Sequence, residues 1–373
     1  LAQEVGDRMN ALATALTSLD DVAGSRLIVR APDKPLPALP ALPALIVLLC
    51  IVLLVAAPAR AAVFYVTVAG NVGEPDYEQR FTTPAKDLDK LFNAVSGGST
   101  GKPAAVNSSP GDSEKPGADT HVFSLTGGDA TRARLTQVLG QIARDAKPED
   151  DLVLILIGHG SFDGVEYKFN LVGPDISAAE LASLCNRVQS KRQLIVNTTS
   201  SSGGSIPALQ HAGRAVIAAT KSGTEKNATV FARYWVEALR DPAADVDKNE
   251  SVTALEAFEY AERKTAEFYT SQKRLATEHP VFEDTGKGEP VRAPSSETGE
   301  GRFLSTLTLV RYGESQKAAL DPAKRELLAK KEDLERQIDI LKYQKAAMSS
   351  NDYEQQLKAI LLQLAHVQAD LDK

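Results

Sequence analysis

The sequence predicts an α/β fold with a mostly parallel sheet, helices on both faces of that sheet, and a C-terminal helical hairpin. Short apolar runs recur along residues 62–313, and amphipathic segments of helical period separate them. Strands that alternate with helices favour parallel pairing, because each helix crosses back over the sheet. In residues 314–373, apolar residues return at three-, four- and seven-residue spacing, which predicts the hairpin.

Each strand is predicted from its side chains. Val63–Val68 is rich in β-branched and aromatic residues, which favour extended backbone, and His121–Leu125 is a shorter run of this kind. Leu152–Ile157 is apolar throughout, as expected of a strand buried on both faces. The remaining predicted strands are 193–197, 214–220 and 303–310.

The helices are predicted from apolar spacing and capping residues. Asp129–Asp145 carries its apolar residues on one face, and Ser177 with Glu180 has the form of a capping box that opens the helix 177–190. The remaining predicted helices are 84–95, 226–239 and 253–272. Residues 96–119 and 281–302 are polar and rich in Gly, Ser or Pro, so both are predicted to be loops.

Residues 1–61 are predicted to be an N-terminal extension with a secretory signal peptide. An apolar run at 41–57 follows several basic residues, and Ala59-Arg60-Ala61 has the small-x-small form of a signal-peptidase site. Cleavage is therefore predicted after Ala61, which would export the mature chain to the periplasm or the medium. The alternative is that the apolar run is not cleaved off and is retained as a membrane anchor, which is the only contact with a membrane that the sequence predicts.

Composition excludes two classes of protein. The formal net charge of −7 gives no electrostatic support for nucleic-acid binding. The two cysteines, Cys50 in the apolar N-terminal run and Cys185 in a predicted helix, exclude a disulfide framework. Cys185 is predicted to pack as a small apolar side chain.

Two of the predicted strands end in chemically reactive residues. Leu152–Ile157 is followed by Gly158-His159-Gly160, and the strand 193–197 is followed by Thr198-Thr199-Ser200-Ser201-Ser202-Gly203. Because the carboxyl ends of parallel strands meet at one edge of a sheet, His159 and Ser200 are predicted to lie side by side. The backbone N–H groups of Gly160 and Ser200 could then stabilise an oxyanion. Taken singly, the histidine fits a structural role and the serines fit a loop, so the prediction rests on their joint placement.

From about Val63 to Val310 the chain resembles the caspase/legumain superfamily of cysteine peptidases, in particular bacterial members of the legumain type. The resemblance lies in Gly158-His159-Gly160 and in Thr199–Gly203, which follows the family pattern small–Cys–x–Ser–Gly with Ser200 at the position of the nucleophilic cysteine. It implies a caspase-like fold and, for intact members, peptide hydrolysis that requires no cofactor.

The resemblance also implies a substrate cleft. The segment Lys221-Ser222-Gly223-Thr224-Glu225 resembles the one that helps form this cleft in the family, and His279-Pro280 resembles a late element of bacterial members. Lys221, Ser222 and Glu225 are therefore candidate substrate-binding residues. Arg80, which follows the first strand, is a fourth. Charged residues in such loops are also commonly solvated without further role.

The serine leaves three functions open. A thiol is partly ionised near neutral pH and a hydroxyl is not, so a serine needs a base oriented by a third group. The first hypothesis is a catalytically silent homologue that binds a peptide or a protein partner. The second is an active hydrolase that uses Ser200 with His159. The third is an envelope scaffold that acts through the hairpin, by docking or by homodimer formation.

Residues 245–256 fit the pattern of an EF-hand calcium loop. Glu250 departs from that pattern, because glycine normally makes the sharp turn at its position. The alternative is an acidic turn that caps the helix beginning near Thr253. The predicted calcium ligands are Asp245, Asp247, Asn249, the Ser251 carbonyl, Thr253 and Glu256.

Overall fold

A computed structural model of the protein describes residues 61–95 and 120–373. The described residues belong to one compact unit, Arg60–Lys373. Residues 1–60, which hold Cys50 and all but the last residue of the predicted signal peptide, and the whole loop predicted at 96–119 lie outside the described residues. Within the described part of the chain, no helix combines the length and the apolar character needed to cross a membrane.

The central sheet has six strands, which are β1 (Val63–Ala69), β2 (Thr120–Leu125), β3 (Asp151–Ile157), β7 (Arg192–Asn197), β8 (Arg214–Ala218) and β10 (Val281–Glu283). Their spatial order is β10-β8-β7-β3-β1-β2. All neighbouring pairs are parallel except β10 with β8, which is antiparallel. The prediction of an α/β fold with a mostly parallel sheet is confirmed.

Two small sheets accompany the central one. The strands β4 (Gly160–Phe162), β5 (Tyr167–Phe169) and β6 (Ile176–Ser177) form an antiparallel meander directly after β3. The strands β9 (Ser251–Thr253) and β11 (Thr308–Arg311) form an antiparallel pair. All five strands are two to four residues long, which is too short for a periodicity of two to be seen in the sequence.

The helices are α1 (Pro75–Val95), α2 (Arg132–Asp145), α3 (Ala178–Cys185), α4 (Ile206–Leu209), α5 (Phe231–Ala238), α6 (Ala254–Ser271), α7 (Arg302–Ser305), α8 (Gly313–Leu320), α9 (Arg325–Gln344) and α10 (Ser350–Leu371). Helices α1, α5 and α6 share one apolar core with one face of the sheet, and α2, α3 and α4 share a second core with the other face. Side chains of β3 alternate between these cores, as the pleat of a strand requires. Cys185 is buried in the second core, as predicted.

Helix α1 begins well before the predicted start at Pro84, and Pro84 lies inside it. A proline in a helix interior removes one backbone hydrogen bond and is costly. The side chains of Phe81, Leu88 and Phe92 lie on both sides of the proline and are all buried against the sheet. This packing stabilises one continuous helix in spite of the proline.

The strand predicted at 303–310 is wrong in its first half, where helix α7 stands instead. The buried carboxylate of Asp284 accepts hydrogen bonds from the amides of Gly301, Phe303 and Leu304, which begin this helical turn. Asp284 lies within residues 281–302, predicted to be a loop, although that segment begins with strand β10. A tertiary contact therefore decides the conformation of 301–305.

The C-terminal hairpin is formed by α9 and α10, as predicted. They pack through a small core that includes Leu334, Val367 and Leu371. Helix α9 also contacts the main domain, because Arg311 of β11 donates two hydrogen bonds to Glu332. It lies near the amino ends of the parallel strands, where a cavity of about 290 Å³ is lined by the first residues of β1, β2, β3 and β7 together with α9.

Candidate active site

The structure brings the two predicted motifs together at the carboxyl edge of the sheet. Strands β3 and β7 are neighbours in parallel register, so Gly158-His159-Gly160 and Thr198–Gly203 leave the sheet side by side. Gly160 lies directly against the backbone of Ser200. A Cβ atom at Gly160 would stand 2.5 Å from the Ser200 carbonyl oxygen and 2.6 Å from Thr199 Oγ1. The close approach therefore requires a glycine at this position.

The hydroxyl of Ser200 is held by the backbone of Gly160. Ser200 Oγ donates to the Gly160 carbonyl at 2.9 Å and accepts from the Gly160 N–H at 3.2 Å. Ser200 is almost fully buried. The hydroxyl proton thus points to a carbonyl, and the amide predicted to serve an oxyanion donates to the hydroxyl itself.

The imidazole of His159 is surrounded by aromatic rings. It packs edge-to-face against the rings of Tyr77 and Phe81 of α1, at centroid distances of 4.6 and 4.9 Å. Within the described residues the ring makes no hydrogen bond. Partial burial lowers the pKa of His159, and the nearby Arg80 guanidinium lowers it further, against a smaller opposing influence from Glu74. Both effects favour the neutral imidazole, and no carboxylate in the described part of the chain hydrogen-bonds to the ring.

A buried polar network lies beneath the serine turn. Asn197, at the end of β7, accepts from Thr199 Oγ1 at 2.8 Å and donates to Ser205 Oγ at 3.0 Å. The hydroxyl of Tyr167 in β5 joins this network and lies 2.6 Å from Thr199 Oγ1. Burial raises the pKa of this tyrosine to about 12. This network fixes the backbone that carries Ser200.

Ser201 has the unusual backbone of the turn. Its φ of 57° lies in the left-handed region, which is costly for a residue with a side chain, and its N–H donates to the Glu225 carbonyl at 2.8 Å. Its own hydroxyl is fully buried and has no partner among the described residues. Strain and an unpaired hydroxyl in one residue are typical of a functional turn.

The segment 221–225 lies against this turn. A Cβ atom at Gly203 would stand 2.3 Å from the Ser222 amide nitrogen, so the two loops are in contact. The Glu225 carboxylate is already bound, because it accepts from His279 Nδ1 at 2.5 Å and from the Lys221 amide at 3.0 Å. Lys221 is exposed, and its ammonium lies 3.9 Å from Glu225. Of the three candidates in this segment, Lys221 has the most exposed side chain.

Arg80 lies on the other side of the cleft, on α1. Its guanidinium stands over the Tyr77 ring at 5.1 Å and donates to the Thr229 carbonyl at 3.4 Å. A cavity of about 460 Å³ opens here between α1, the ends of β3 and β7, and the start of α5. Its walls are lined by Arg80, Phe81, Pro84, Ile157, Gly158, Thr198, Val230 and Arg233 among others. Two guanidinium groups thus border a largely apolar cavity beside His159.

Sequence reasoning missed several residues of this site. Asn197 could have been found, since it is a polar residue at the end of an apolar run. Tyr77 and Phe81 are spaced four apart as helix neighbours are, but the helix was predicted to start after them. Arg233 carries no signal in the sequence, because only the fold brings it to the cleft.

The predicted cation ligands form a second site, distant in sequence from the first. The carboxylates of Asp245, Asp247 and Glu256 lie within 4.8 Å of one another and could hold a metal ion. Asp245 is buried. Asp247 is exposed as a residue, yet partial desolvation of its carboxylate and the charge of Glu256 raise its pKa to about 6.

The loop backbone is folded around these carboxylates. Asp245 accepts from the amides of Asn249 and Glu250 at 3.2 and 3.0 Å. Glu250 adopts φ = 66°, the left-handed conformation that glycine has in the pattern. Thr253 and Glu256 form a capping box on α6, so the predicted alternative of a helix cap is observed as well.

The acidic loop touches the hairpin. Asn249 Nδ2 lies 3.4 Å from Glu335 Oε2 of α9, and Lys331 Nζ donates to the Asn249 carbonyl at 3.2 Å. Burial raises the pKa of Glu335 to about 7, and Asp247 adds to the shift, whereas Lys331 opposes it. The hairpin therefore packs on the predicted ligand loop.

Comparison with known proteins gives little. No family model matches the chain, and no curated protein matches it. Among solved structures it is similar to protein GSU0716 of Geobacter sulfurreducens, with a TM-score of 0.41 and 12% identity over 65% of this chain and 96% of that one. It is also similar to Raptor of Chaetomium thermophilum, with a TM-score of 0.32 and 12% identity over 76% of this chain and 34% of that one.

Proposed function

We propose that this chain is an exported homologue of the caspase/legumain-type peptidases that binds an extended peptide or protein segment at the carboxyl edge of its sheet and does not cleave it. The observation that carries the proposal is the pairing of Ser200 with Gly160. Its hydroxyl donates to a carbonyl oxygen, at 2.9 Å, and not to the imidazole of His159.

A serine nucleophile needs a base that accepts its proton, and a third group usually orients that base. The described residues give the His159 ring two aromatic neighbours and no carboxylate hydrogen-bonded to it. A cysteine at position 200 would need less help, because its thiol ionises far more readily. The site therefore suits a thiolate and leaves a hydroxyl inert.

The cleft beside this pair supports binding. The cavity of about 460 Å³ has the size of a small-ligand or side-chain pocket and is bordered by Arg80 and Arg233. Guanidinium groups recognise carboxylates through paired hydrogen bonds. The expected ligand is thus a segment with an acidic side chain, whose apolar stem would contact Phe81 and Val230.

One observation favours the hydrolase as a second candidate. Burial and Arg80 lower the pKa of His159, which keeps the imidazole neutral, as a general base must be. Substrate binding would then have to release Ser200 Oγ from Gly160 and direct it to the ring.

One observation favours the scaffold as a third candidate. Leu361 and Leu362 of α10 are 47% and 55% exposed on the hairpin. Single exposed leucines are ordinary, but adjacent ones on a helix outside its own core could contact a partner or a second copy of the chain.

We further propose that the acidic group at 245–256 binds calcium when the protein is exported. Carboxylate, amide and carbonyl oxygens are the ligands that Ca²⁺ prefers, and Asp245, Asp247 and Glu256 are already gathered. The Asn249 side chain, the Ser251 carbonyl and Thr253 would complete the set. Partial burial and the charge of Glu256 raise the pKa of Asp247, and bound Ca²⁺ would offset both effects.

The test is a peptide library presented to the native protein, Ser200→Cys and His159→Ala. The proposal predicts that the native chain selects acidic peptides without cutting them, and that Arg80→Ala or Arg233→Ala weakens the selection. Lys168→Ala, on the exposed side of β5, is the matched control. Cleavage by the native chain that is lost in His159→Ala would instead establish the hydrolase.

A further inference from the structure

We propose that cleavage after Ala61 creates an α-ammonium group on Ala62 that becomes the cationic partner of the buried carboxylate of Asp150. Processing would then complete the folded domain as well as release it. This inference rests on the export part of the proposed function and is independent of peptide binding.

The geometry is set at the amino end of β1. The Ala62 nitrogen donates to Asp150 Oδ1 at 2.7 Å, and the Lys147 amide donates to Asp150 Oδ2, also at 2.7 Å. Only 3% of Asp150 is exposed. Among the described residues, no lysine, arginine or histidine forms an ion pair with it.

The next residue shows the contrast. Asp151 is also buried, but Arg192 binds its carboxylate through two hydrogen bonds. A buried carboxylate without a counter-charge is costly, so Asp150 stands out as the unpaired member of two adjacent buried acids. A positive group at the Ala62 nitrogen would remove that difference.

The Ala62 nitrogen is the atom that cleavage would charge. Its distance of 2.7 Å from Asp150 suits a charge-assisted hydrogen bond without any movement. The Ala62 carbonyl accepts from the Asp151 amide at 2.8 Å, so the residue is already in register with β3. Ala61 is exposed, so its removal leaves no gap in the core.

The first test locates the cut. The full chain is expressed in an exporting bacterium, and the N-terminal residue of the exported protein is determined by mass spectrometry. The inference predicts Ala62. A mature protein that begins at any other residue, or that keeps residues 1–61, overturns it.

The second test separates charge from hydrogen bonding. Asp150→Asn keeps an acceptor for the Ala62 nitrogen and removes the charge. It is introduced into the mature chain that begins at Ala62 and into a chain that keeps Ala61 in front of it. We expect the melting temperature to fall by about 4–6 °C in the first chain and by about 1–2 °C in the second.

Asp151→Asn is the matched control. Its partner Arg192 is present in both chains, so loss of the Asp151 charge should lower both melting temperatures equally. Equal losses for Asp150→Asn would overturn the inference.

Raising the pH gives a further check. The α-amino group of an unfolded chain has a pKa of about 8, and pairing with Asp150 would raise it in the folded protein. The pair then stabilises the folded protein fully below about pH 8, and this stabilisation is lost as the pH rises through the folded pKa. Peptide binding is scored on the same variants, so a failure here and a failure of the proposed function are distinguishable.

Discussion

The two edges of the central sheet are built differently. At the amino edge charged groups are paired, as in Arg192 with Asp151 and Arg311 with Glu332, with the carboxylate of Asp150 as the exception, and helix α9 packs over them. At the carboxyl edge the polar groups of the serine turn are bound to neutral neighbours or, like Ser201 Oγ, have no partner in the described residues. An apolar cavity bordered by two arginines opens beside them.

Under the proposed function, this difference separates a part of the molecule that serves stability from a part that binds the ligand. Ion pairs and a covering helix close the amino edge. A strained residue, a buried polar network and an open cavity at the carboxyl edge are features of a site that receives a ligand. Of the paired groups at the carboxyl edge, Glu225 with His279 joins two loops and does not face the cavity. Each prediction below perturbs one edge and leaves the other intact.

The largest effect is expected from Ser200→Cys. If the carboxyl edge is an intact cleft without its nucleophile, the thiol should raise the rate of peptide cleavage at least about 100-fold over the native chain. A thiol ionises far more readily than a hydroxyl and can therefore use His159 as its base, and a general base is worth about 10²–10⁴-fold. The rate is measured on the peptides that the native chain binds. His159→Ala in the Ser200→Cys background should abolish the gain, and a gain that survives this change would contradict the role of His159.

Gly160→Ala should have the next largest effect. The new Cβ would stand 2.5 Å from the Ser200 carbonyl and from the Tyr167 ring, so the turn must shift. We expect a loss of about 3 kcal/mol in the free energy of unfolding, measured by urea denaturation, together with weaker peptide binding. Gly140→Ala inside α2 is the control, and it should stabilise by about 0.5–1 kcal/mol. A neutral Gly160→Ala would show that the two loops are not in contact.

The pH dependence tests the carboxyl edge again, through Glu278. This buried carboxyl accepts from the amides of Val230 and Phe231, and burial raises its pKa to about 7. The folded state therefore binds more protons than the unfolded state between about pH 4.5 and 7, and stability falls as the pH rises through this range. Glu278→Gln should remove a loss of stability on the order of 3 kcal/mol across this pH range, while the exposed Glu267→Gln should not. If stability changes with pH by the same amount in both variants, Glu278 is not the group responsible.

The smallest effect is expected at the acidic loop. One millimolar Ca²⁺ should raise the melting temperature by about 2–4 °C, a chelator should reverse the rise, and Glu256→Gln should eliminate it. Glu326→Gln, on the exposed start of α9, is the control. If Ca²⁺ gives no rise, or if Glu256→Gln responds normally, the acidic loop acts only as a helix cap and not as a calcium site.

The parts of the fold that were predicted are those in which local and tertiary preferences agree. Strand β3 is apolar at all but its first residue and is buried on both faces, so its local preference for a strand agrees with its place at the centre of the sheet. Residues 303–305 were wrongly predicted to be strand, since the distant Asp284 determines their conformation. Helix α1 was predicted too short because a proline usually marks a helix start, while burial of Phe81 and Leu88 outweighs that rule here.

The site follows the same logic. His159 and Ser200 were predicted from the two strand ends that carry them. The contact of Ser200 with Gly160 was not predicted, because it depends on how one turn lies against the other. Arg233 lies far from both motifs in sequence and reaches the cavity only because α5 packs beside α1.

The most direct measurement is covalent labelling of position 200. The native chain and Ser200→Cys are each treated with a fluorophosphonate, which reacts with activated serines, and with iodoacetamide, which reacts with thiolates, and position 200 is then read by mass spectrometry. We predict no fluorophosphonate adduct on Ser200 of the native chain. In Ser200→Cys we predict rapid alkylation that slows when His159 is replaced by alanine. A fluorophosphonate adduct on native Ser200 would contradict a silent site and establish a serine hydrolase.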